Sequence, residues 1–410
     1  MKIMKTAGLF LTLIYCCSLT ANAQMPQPGK VSAHIAILAS DEMQGRGTGT
    51  EGERMAAKYI ETQFKKLKLK PLGDSKTYRQ QFDFKGGQHG SGEPGKAKNL
   101  VGFLDNGAAN TIIIGAHYDH LGMGNQGSSL DADPSGKIHN GAEANASGVA
   151  GLLELARYFK TNKVKEKNNF LFLCFSGEEL GLYGSDYFTE HPAVDLAKVN
   201  FMINLDMVGR LDPKNGGLSV SGSGTSPGWE PLLKKLSTTD VPITTDSSGT
   251  GPSDHTKFYL KKMPVLHFFT GSHSDYHKPS DDSDKINAQG EVAVLNIIIK
   301  VIEVMDTEPK LAYLTTKSKS MGGTRSFKVT MGVMPNYSSK VAGLKVDGVS
   351  EGKPAQKAGI LTGDVIIKIG DLTIKDMESY MDALGKFEKG QTVPVIVLRD
   401  EKEVTVTVTF

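Results

Sequence analysis

Cysteine is scarce in this chain of 410 residues, and the positions of the few cysteines exclude a disulfide framework. Cys16 and Cys17 lie near the N-terminus, which leaves Cys174 alone in the rest of the sequence. One cysteine cannot form an internal disulfide, so the hydrophobic core must supply the stability. Cys174 belongs to the apolar run at residues 170–175 and is expected to be a small buried hydrophobe, not a nucleophile.

An excess of charge of either sign is also missing. The chain has 47 Lys and Arg against 45 Asp and Glu, so nothing indicates a nucleic acid or an anionic membrane as partner. Beyond the N-terminus no segment is long and apolar enough to span a membrane, and no repeat has a solenoid or propeller period. We therefore expect a globular protein whose mature chain has no membrane span, and its length suits two domains.

The N-terminus has the pattern of a cleavable export signal. Lys2 and Lys5 precede an apolar stretch at residues 7–17, and an Ala-Asn-Ala tripeptide ends at Ala23. A basic segment, a short apolar core and an A-x-A site together are typical of secretory signals. We expect residues 1–23 to be removed and the mature protein to be exported, either periplasmic or extracellular.

A polar, basic stretch divides the remaining sequence. The letters LTTKSKSMGGTRS at residues 314–326 are typical of a linker. This predicts a first domain at residues 24–313 and a second at residues 327–410. Within the first domain, GGQHGSGEPG at residues 86–95 is expected to be a surface loop.

Short apolar runs alternate with helical patterns in the first domain. Four runs are predicted to be buried strands, at residues 111–114, 170–175, 201–205 and 264–269. Helices are predicted at residues 55–67, 149–159 and 291–305. The alternation predicts an α/β fold, a three-layer sandwich around a mixed, largely parallel sheet.

Side chains that can bind metal follow each predicted strand. They include His117, Asp119, Glu178, Glu179, Asp206 and His277. Ligand sites in open α/β sheets gather at the carboxyl ends of the strands, so these side chains are expected to converge. Imidazoles and carboxylates form a ligand set that zinc accepts, and two zinc ions about 3.5–4 Å apart can hold a substrate carbonyl and a water. The pattern predicts metal-assisted hydrolysis.

Longer motifs carry a resemblance to a known family. They are GAHYDHLG at 115–122, NGAEANASGVAGLLELAR at 140–157, FSGEELGLYGS at 175–185, NLDMVGR at 204–210, GPSDHTKF at 251–258 and SDYHKPSDDSDKI at 274–286. From about residue 35 to 305 the chain resembles the zinc exopeptidase family that contains bacterial leucyl aminopeptidases, glutamate carboxypeptidase and the glutaminyl cyclases. The resemblance implies a peptide substrate and two zinc ions.

The resemblance also implies roles for individual residues. His117 and Asp206 resemble the ligands of one zinc, and Glu179 and His277 resemble those of the other. Glu178 resembles the general base. In the same way, Asp119 resembles the carboxylate that orients His117, a contact that fixes the tautomer and strengthens the ligand. The sequence alone does not distinguish which of Glu178 and Glu179 binds metal.

One position departs from the family pattern. Members usually read Gly-Ala-Asp-Asp-Asn-Ala-Ser-Gly, and the second Asp bridges both metals, whereas this chain has Glu143 and then Ala144. A methyl group cannot ligate a metal. Three outcomes are open: Glu143 swings in to replace the lost ligand, the site holds one metal or binds metal weakly, or catalysis is lost.

Other polar residues near these motifs have less specific interpretations. His120 is expected to be a hydrogen-bonding loop residue. Asp254 and His255 either line the substrate cleft or serve packing and capping. Asp281 and Asp284 either order the loop that carries His277 or are solvated.

Residues 327–410 resemble a PDZ domain of the kind attached to bacterial proteases. VTMGVMP at 329–335 matches the carboxylate-binding loop and the strand after it, and GKPAQKAGILTGDVIIKIGD at 352–371 matches a helix, turn and strand. The alternating residues 404–410 predict an edge or closing strand. The resemblance implies that a peptide or protein C-terminus adds as a strand; the alternative is a PDZ fold that only packs on the first domain.

The leading hypothesis is therefore an exported zinc-dependent exopeptidase, most simply an aminopeptidase. A peptide-binding homologue without catalysis and a glutaminyl cyclase with one zinc are the alternatives. Zinc stoichiometry separates them, because two ions favour the hydrolase and none favours the binder.

Overall fold

The computed structural model of the chain describes residues 25–85, 94–126, 128–316, 329–335, 341–349 and 352–410. The expected signal, residues 86–93 of the glycine-rich stretch and residues 317–326 of the expected linker lie outside them, and those predictions stay predictions. Within the described ranges, no helix has the length and apolar character needed to cross a membrane.

Residues 25–316 alternate helices with strands. The helices are α1 (Pro28–Leu38), α2 (Glu51–Lys66), α3 (Gly148–Thr161), α4 (Tyr183–Glu190), α5 (Trp229–Leu236), α6 (His255–Leu260) and α7 (Ala288–Thr307). The strands are β1 (Lys70–Pro71), β2 (Arg79–Phe84), β3 (Gly95–Leu104), β4 (Asn110–His117), β5 (Asn168–Phe175), β6 (Val199–Leu205), β7 (Leu218–Ser221), β8 (Ile243–Asp246) and β9 (Val265–Phe269).

These strands form one mixed sheet in the order β1-β3-β5-β4-β6-β9-β7-β8, with β2 paired to β3. The central strands β5, β4, β6 and β9 are mutually parallel, whereas β3 and β7 join them antiparallel. All four predicted strands are confirmed and are these central ones. Since they run in one direction, their carboxyl ends share one edge of the sheet.

Helices cover both faces of this sheet. In β5, Phe170 and Phe172 pack with α1, α2, α3 and α7 on one side, and Leu171 and Leu173 pack with α4 and α6 on the other. A strand buried on both faces reads as a continuous apolar run, which is why residues 170–175 lack alternation. The predicted three-layer α/β sandwich is confirmed.

The long helices begin earlier than their apolar stripes indicate. Thr50 accepts a hydrogen bond from the Glu53 amide at the start of α2, and Asn287 accepts one from the Gly290 amide at the start of α7. Side-chain oxygens at these positions satisfy amides of the first turn and fix where a helix starts. The first turns are therefore set by capping rather than by hydrophobic periodicity.

The described residues within 329–410 form a second, antiparallel sheet. Its strands are β10 (Val333–Pro335), β11 (Leu344–Val349), β12 (Val365–Ile369), β13 (Leu372–Thr373), β14 (Thr392–Arg399) and β15 (Lys402–Thr409), with helices α8 (Pro354–Lys357) and α9 (Met377–Leu384). The order is β10-β11-β12-β14-β15, with β13 on β12, and the sheet has its own apolar core. β15 ends this order, as predicted for residues 404–410.

Candidate metal centre

The candidate site lies at the carboxyl edge of the central strands. His117 is the last residue of β4, Glu178 and Glu179 follow β5, and Asp206 follows β6 directly. Together with His277, from the loop before α7, these side chains line one cavity with a volume of about 110 Å³. The predicted convergence of distant imidazoles and carboxylates is therefore observed.

His117 and Asp206 form one side of the cavity. Nε2 of His117 lies 3.3 Å from Oδ1 of Asp206 and 4.0 Å from Oε2 of Glu178. The hydroxyl of Ser253 donates to the other carboxylate oxygen of Asp206 at 2.7 Å. Ser253 is a positioning residue that the sequence pattern alone did not single out.

Glu179 and His277 form the opposite side. Oε2 of Glu179 lies 3.2 Å from Nε2 of His277. Nδ1 of His277 is 2.9 Å from the carbonyl oxygen of Ser128, which only accepts hydrogen bonds, so Nδ1 carries the proton and Nε2 faces the cavity side. This is the orientation that a metal-binding imidazole requires.

Asp119 is fully buried and lies next to both sides of the cavity. Its carboxylate accepts hydrogen bonds from the Thr48 hydroxyl at 2.9 Å and from the amides of Glu178 and Glu179 at 3.2 and 3.4 Å. The carboxylate is 3.7 Å from Nδ1 of His117, while the carbonyl oxygen of Asp119 is nearer, at 3.2 Å. Asp119 thus fixes the backbone of the two glutamates, and its predicted action on His117 stays a prediction.

Ala144 lines the same cavity, and its side chain there is a methyl group, which cannot bind a metal. The neighbouring Glu143 does not turn inward. Its carboxylate is buried, accepting from the Gly209 amide and from the Thr270 hydroxyl, both at 2.8 Å. Burial, with Asp281 nearby, raises the pKa of Glu143 to about 7. Glu143 therefore supports the loop after β6 instead of replacing the missing carboxylate.

Asp281 orders the segment around Ala144. It is buried, and its Oδ2 accepts from the amides of Glu143 and Ala144 at 3.0 and 3.1 Å. Arg210 donates to its Oδ1 at 3.0 Å. Asp281 is therefore not solvated, but its carboxylate orders the segment at Glu143 and Ala144 rather than the loop that carries His277, and Asp284 is exposed.

His120 has a more specific place than the loop role expected for it. Its Nδ1 lies 2.7 Å from Oε1 of Glu179, and the ring packs edge-on against His277 with centroids 5.6 Å apart. Burial lowers the pKa of His120 to about 3, although Glu179 opposes this, so the imidazole is neutral. His120 carries no signal of its own in the sequence, because its partner Glu179 is 59 residues away.

His255 also lines the cavity, whereas Asp254 is buried behind it. The His255 ring stacks on that of His267 at 4.5 Å between centroids. Burial lowers the pKa of both imidazoles, so both are neutral. The cleft-lining alternative therefore holds for His255 alone.

The electrostatics of the site favour bound positive charge. Burial alone would lower the pKa of His117, but Glu178 and Asp206 outweigh it and raise that pKa well above the usual range. Burial opposes ionisation of Asp206, yet His117 brings its pKa down to about 2. His277 and His120 likewise outweigh burial and lower the pKa of Glu179. Carboxylates that stabilise a protonated imidazole in this way can also stabilise a bound divalent cation.

Among the residues that the structure describes, two groups of side chains can hold a metal. Ligand atoms of His120, Glu179 and His277 lie within 4.8 Å of one another, and so do those of His117, Glu178 and Glu179. Nitrogen and oxygen donors of this kind suit zinc, which accepts histidine and carboxylate ligands.

Comparisons with known proteins identify a family for each of the two domains. Residues 99–302 match the model of Peptidase family M28, and residues 325–410 match that of the PDZ domain. Leupeptin-inactivating enzyme 1 of Streptomyces exfoliatus is 29% identical over 68% of this chain and 58% of its own length. Aminopeptidase YwaD of Bacillus subtilis is 30% identical over 43% of this chain and 37% of its own length. The chain thus spans about three fifths or less of these relatives.

Solved structures share the fold of the first domain. A Zn-dependent exopeptidase from Parabacteroides distasonis has a TM-score of 0.55 at 18% identity, covering 68% of this chain and 99% of that one. Porphyromonas gingivalis glutaminyl cyclase has a TM-score of 0.56 at 17% identity, covering 69% and 100%. The fold is therefore that of the zinc exopeptidases, and it does not by itself separate hydrolase from cyclase.

The fold and the family match together place the first domain among the zinc exopeptidases. Residues 99–302 place the first domain in Peptidase family M28, and a PDZ domain follows it. The resemblance found in the sequence is confirmed.

Proposed function

We propose that this protein is an exported zinc-dependent exopeptidase, an aminopeptidase, that hydrolyses terminal peptide bonds. One observation carries the proposal: His117, Glu178, Glu179, Asp206 and His277 line a single cavity at the edge of the sheet. The aminopeptidase among the similar proteins supports the reaction class. Bound zinc in such a site supplies Lewis acidity, which lowers the pKa of a coordinated water and polarises a carbonyl.

Glu178 is proposed as the general base. It lines the cavity, and its backbone amide is held by Asp119, so its position is fixed from below. Burial and the neighbouring carboxylates Asp206 and Glu179 raise its pKa well above the usual range, although His117 opposes them. A carboxylate with a raised pKa accepts a proton from water more readily and then passes it to the leaving amine.

The test is hydrolysis of amino-acid p-nitroanilides by the zinc-loaded protein, compared with Glu178→Gln. We expect the variant to lose about 10²- to 10⁴-fold in turnover while its zinc content stays the same. Equal turnover in the variant would remove Glu178 from the mechanism. If zinc-loaded wild type cleaves neither these substrates nor unblocked peptides, the protein is a peptide-binding homologue, which Ala144 favours. Cyclisation of N-terminal glutamine, assayed in parallel, identifies the cyclase.

Export and the role of the PDZ domain belong to the same proposal. Lys2, Lys5 and the Ala-Asn-Ala tripeptide ending at Ala23 support removal of residues 1–23, with the peptidase domain at 24–313, a linker at 314–326 and the PDZ domain at 327–410. N-terminal sequencing of the secreted protein tests the cleavage. We propose that the PDZ domain binds a peptide or protein C-terminus.

A further inference from the structure

His120 occupies a place that neither the sequence pattern nor the family comparison assigns to a metal ligand. Its Nδ1 faces Oε1 of Glu179 at 2.7 Å, while Nε2 of His277 faces Oε2 of the same carboxylate at 3.2 Å. Two imidazoles thus approach one carboxylate from its two oxygens. All three ligand atoms lie within 4.8 Å of one another.

This spacing fits a single zinc ion. Zinc–nitrogen and zinc–oxygen bonds of about 2.0–2.2 Å in a tetrahedron separate neighbouring ligand atoms by roughly 3.4 Å. All three ligand atoms lie within 4.8 Å of one another, which leaves room for one ion. The contacts of 2.7 Å from His120 to Oε1 and 3.2 Å from His277 to Oε2 are direct, and an ion between these atoms would lengthen them. Two histidines and one glutamate, with a fourth position for water, are also a ligand set of mononuclear zinc peptidases.

The fold makes specific room for the His120 ring. His120 is fully buried, and its Nε2 has no hydrogen-bond partner in the described part of the chain. The ring lies against Gly141, where a Cβ atom would come within 2.3 Å of it. Gly141 also has φ of +56°, a conformation that favours glycine. The imidazole is therefore accommodated by the absence of a side chain, with one nitrogen directed at Glu179.

The other half of the site is weaker as a separate metal position. His117 and Asp206 contribute two donors, and Ala144 offers none where a bridging carboxylate would join them to Glu179. Ser253 already donates to the second oxygen of Asp206. With Glu178 taken as the general base and Glu179 as a ligand on the His120 side, the His117 side keeps two donors and the His120 side has three, so ligand number favours the His120 side.

We infer that His120 is a metal ligand and that His120, Glu179 and His277 form a mononuclear zinc site in this chain. The inference rests on the proposed zinc dependence and deepens it, because it assigns one ion per chain and an additional ligand. Glu178 stays beside this site, since its carboxylate, that of Glu179 and the His117 ring lie within 4.8 Å of one another. The general base and three metal ligands are then present even though residue 144 has no carboxylate.

The test measures zinc content and zinc affinity of the full-length protein, with metal-free thermal unfolding as the check on folding. We expect one zinc per wild-type chain, a loss of at least about 100-fold in affinity in His120→Asn, and a loss of less than about tenfold in His117→Ala. Two zinc ions per wild-type chain, or wild-type affinity in His120→Asn, would overturn the inference.

His120→Cys separates a ligand from a residue that only positions Glu179. A thiolate binds zinc at about 2.3 Å, compared with about 2.0–2.1 Å for nitrogen, which offsets the shorter reach of cysteine. With cobalt in place of zinc, we expect a near-ultraviolet thiolate-to-cobalt band in His120→Cys that wild type lacks. Cobalt binding without that band shows that residue 120 acts only through Glu179, and overturns the inference.

Peptide hydrolysis in the same samples keeps the two proposals apart. One zinc that depends on His120, without hydrolysis, refutes the proposed function and leaves the ligand assignment standing. Hydrolysis with two zinc ions, insensitive to His120, does the reverse.

Discussion

The hydroxyl of Thr48 donates a 2.9 Å hydrogen bond to Oδ2 of Asp119 and so connects the segment before α2 to the base of the candidate site. The same carboxylate accepts hydrogen bonds from the backbone amides of Glu178 and Glu179. A residue that precedes the matched family region thereby influences the position of two site carboxylates, although it touches neither. The segment before α2 therefore helps to hold the candidate site in position.

Replacement of Thr48 by Val removes this hydroxyl and keeps the side-chain size. We expect zinc affinity and turnover to fall by roughly tenfold, the range seen for residues that orient metal ligands. Thr48→Ser keeps the hydroxyl and should retain wild-type values. Equal zinc affinity in the Val and Ser variants would show that Asp119 is held adequately by the two amides.

Ala144→Asp supplies the carboxylate that the family pattern has at this position. Because Ala144 lines the same cavity as His117, Asp206, Glu179 and His277, we expect zinc stoichiometry to rise to two and turnover to increase by about tenfold or more. Ala144→Asn, similar in size and uncharged, should bring no second zinc. If the Asp variant gains neither metal nor activity, residue 144 is not the bridging position.

Glu143→Ala tests whether this glutamate is structural. The substitution removes the acceptors of the Gly209 amide and the Thr270 hydroxyl and leaves a cavity, so we expect the free energy of unfolding to fall by about 2–4 kcal/mol. Zinc stoichiometry should not change. In Glu143→Gln, which retains an acceptor and a donor, we expect a smaller loss. Zinc loss in both variants would make Glu143 a ligand.

Glu53 predicts how stability depends on pH in the metal-free protein. Burial raises the pKa of Glu53 from 4.5 to about 8, although the Ser176 hydroxyl and the Gly49 amide donate to its carboxylate and oppose the shift. Between these pH values the folded protein keeps a proton that the unfolded chain releases, so the free energy of unfolding falls as pH rises. The full change is on the order of a few kcal/mol.

Glu53→Gln replaces the protonated acid by a neutral amide of the same shape. Its amide group can donate to Ser176 while its oxygen accepts from Gly49. We expect urea unfolding of this variant to show a flatter dependence of stability between pH 5 and about 8 than wild type. An equal slope in both proteins would assign the pH dependence to other groups.

Much of the fold and half of the site were predictable from the sequence. The four central strands are apolar runs buried on both faces, and parallel strands bring whatever follows them to one edge. His117, Glu178, Glu179, Asp206 and His277 therefore meet, as expected. The motif positions were sufficient because each residue lies at or shortly after the end of a strand, or in a family-specific loop.

The remaining contacts depend on pairings that no local pattern reveals. His120 looks like an ordinary loop residue until Glu179 and His277 are placed beside it. Glu143 is adjacent to the vacant bridging position in sequence, yet its side chain faces Thr270, because the backbone between Gly141 and Ser147 turns irregularly. Side-chain direction in such a segment depends on tertiary contacts that periodicity does not encode.

The two carboxylates around Ala144 have a consequence for how this site can change over time. Asp281 accepts hydrogen bonds from the amides of Glu143 and Ala144, and Glu143 accepts one from the Gly209 amide in the loop after β6. Neither of these contacts requires a bound ion. We therefore expect metal binding and the stability of the fold to change independently of each other. In particular, substitutions at position 144 are expected to change metal binding while the architecture persists.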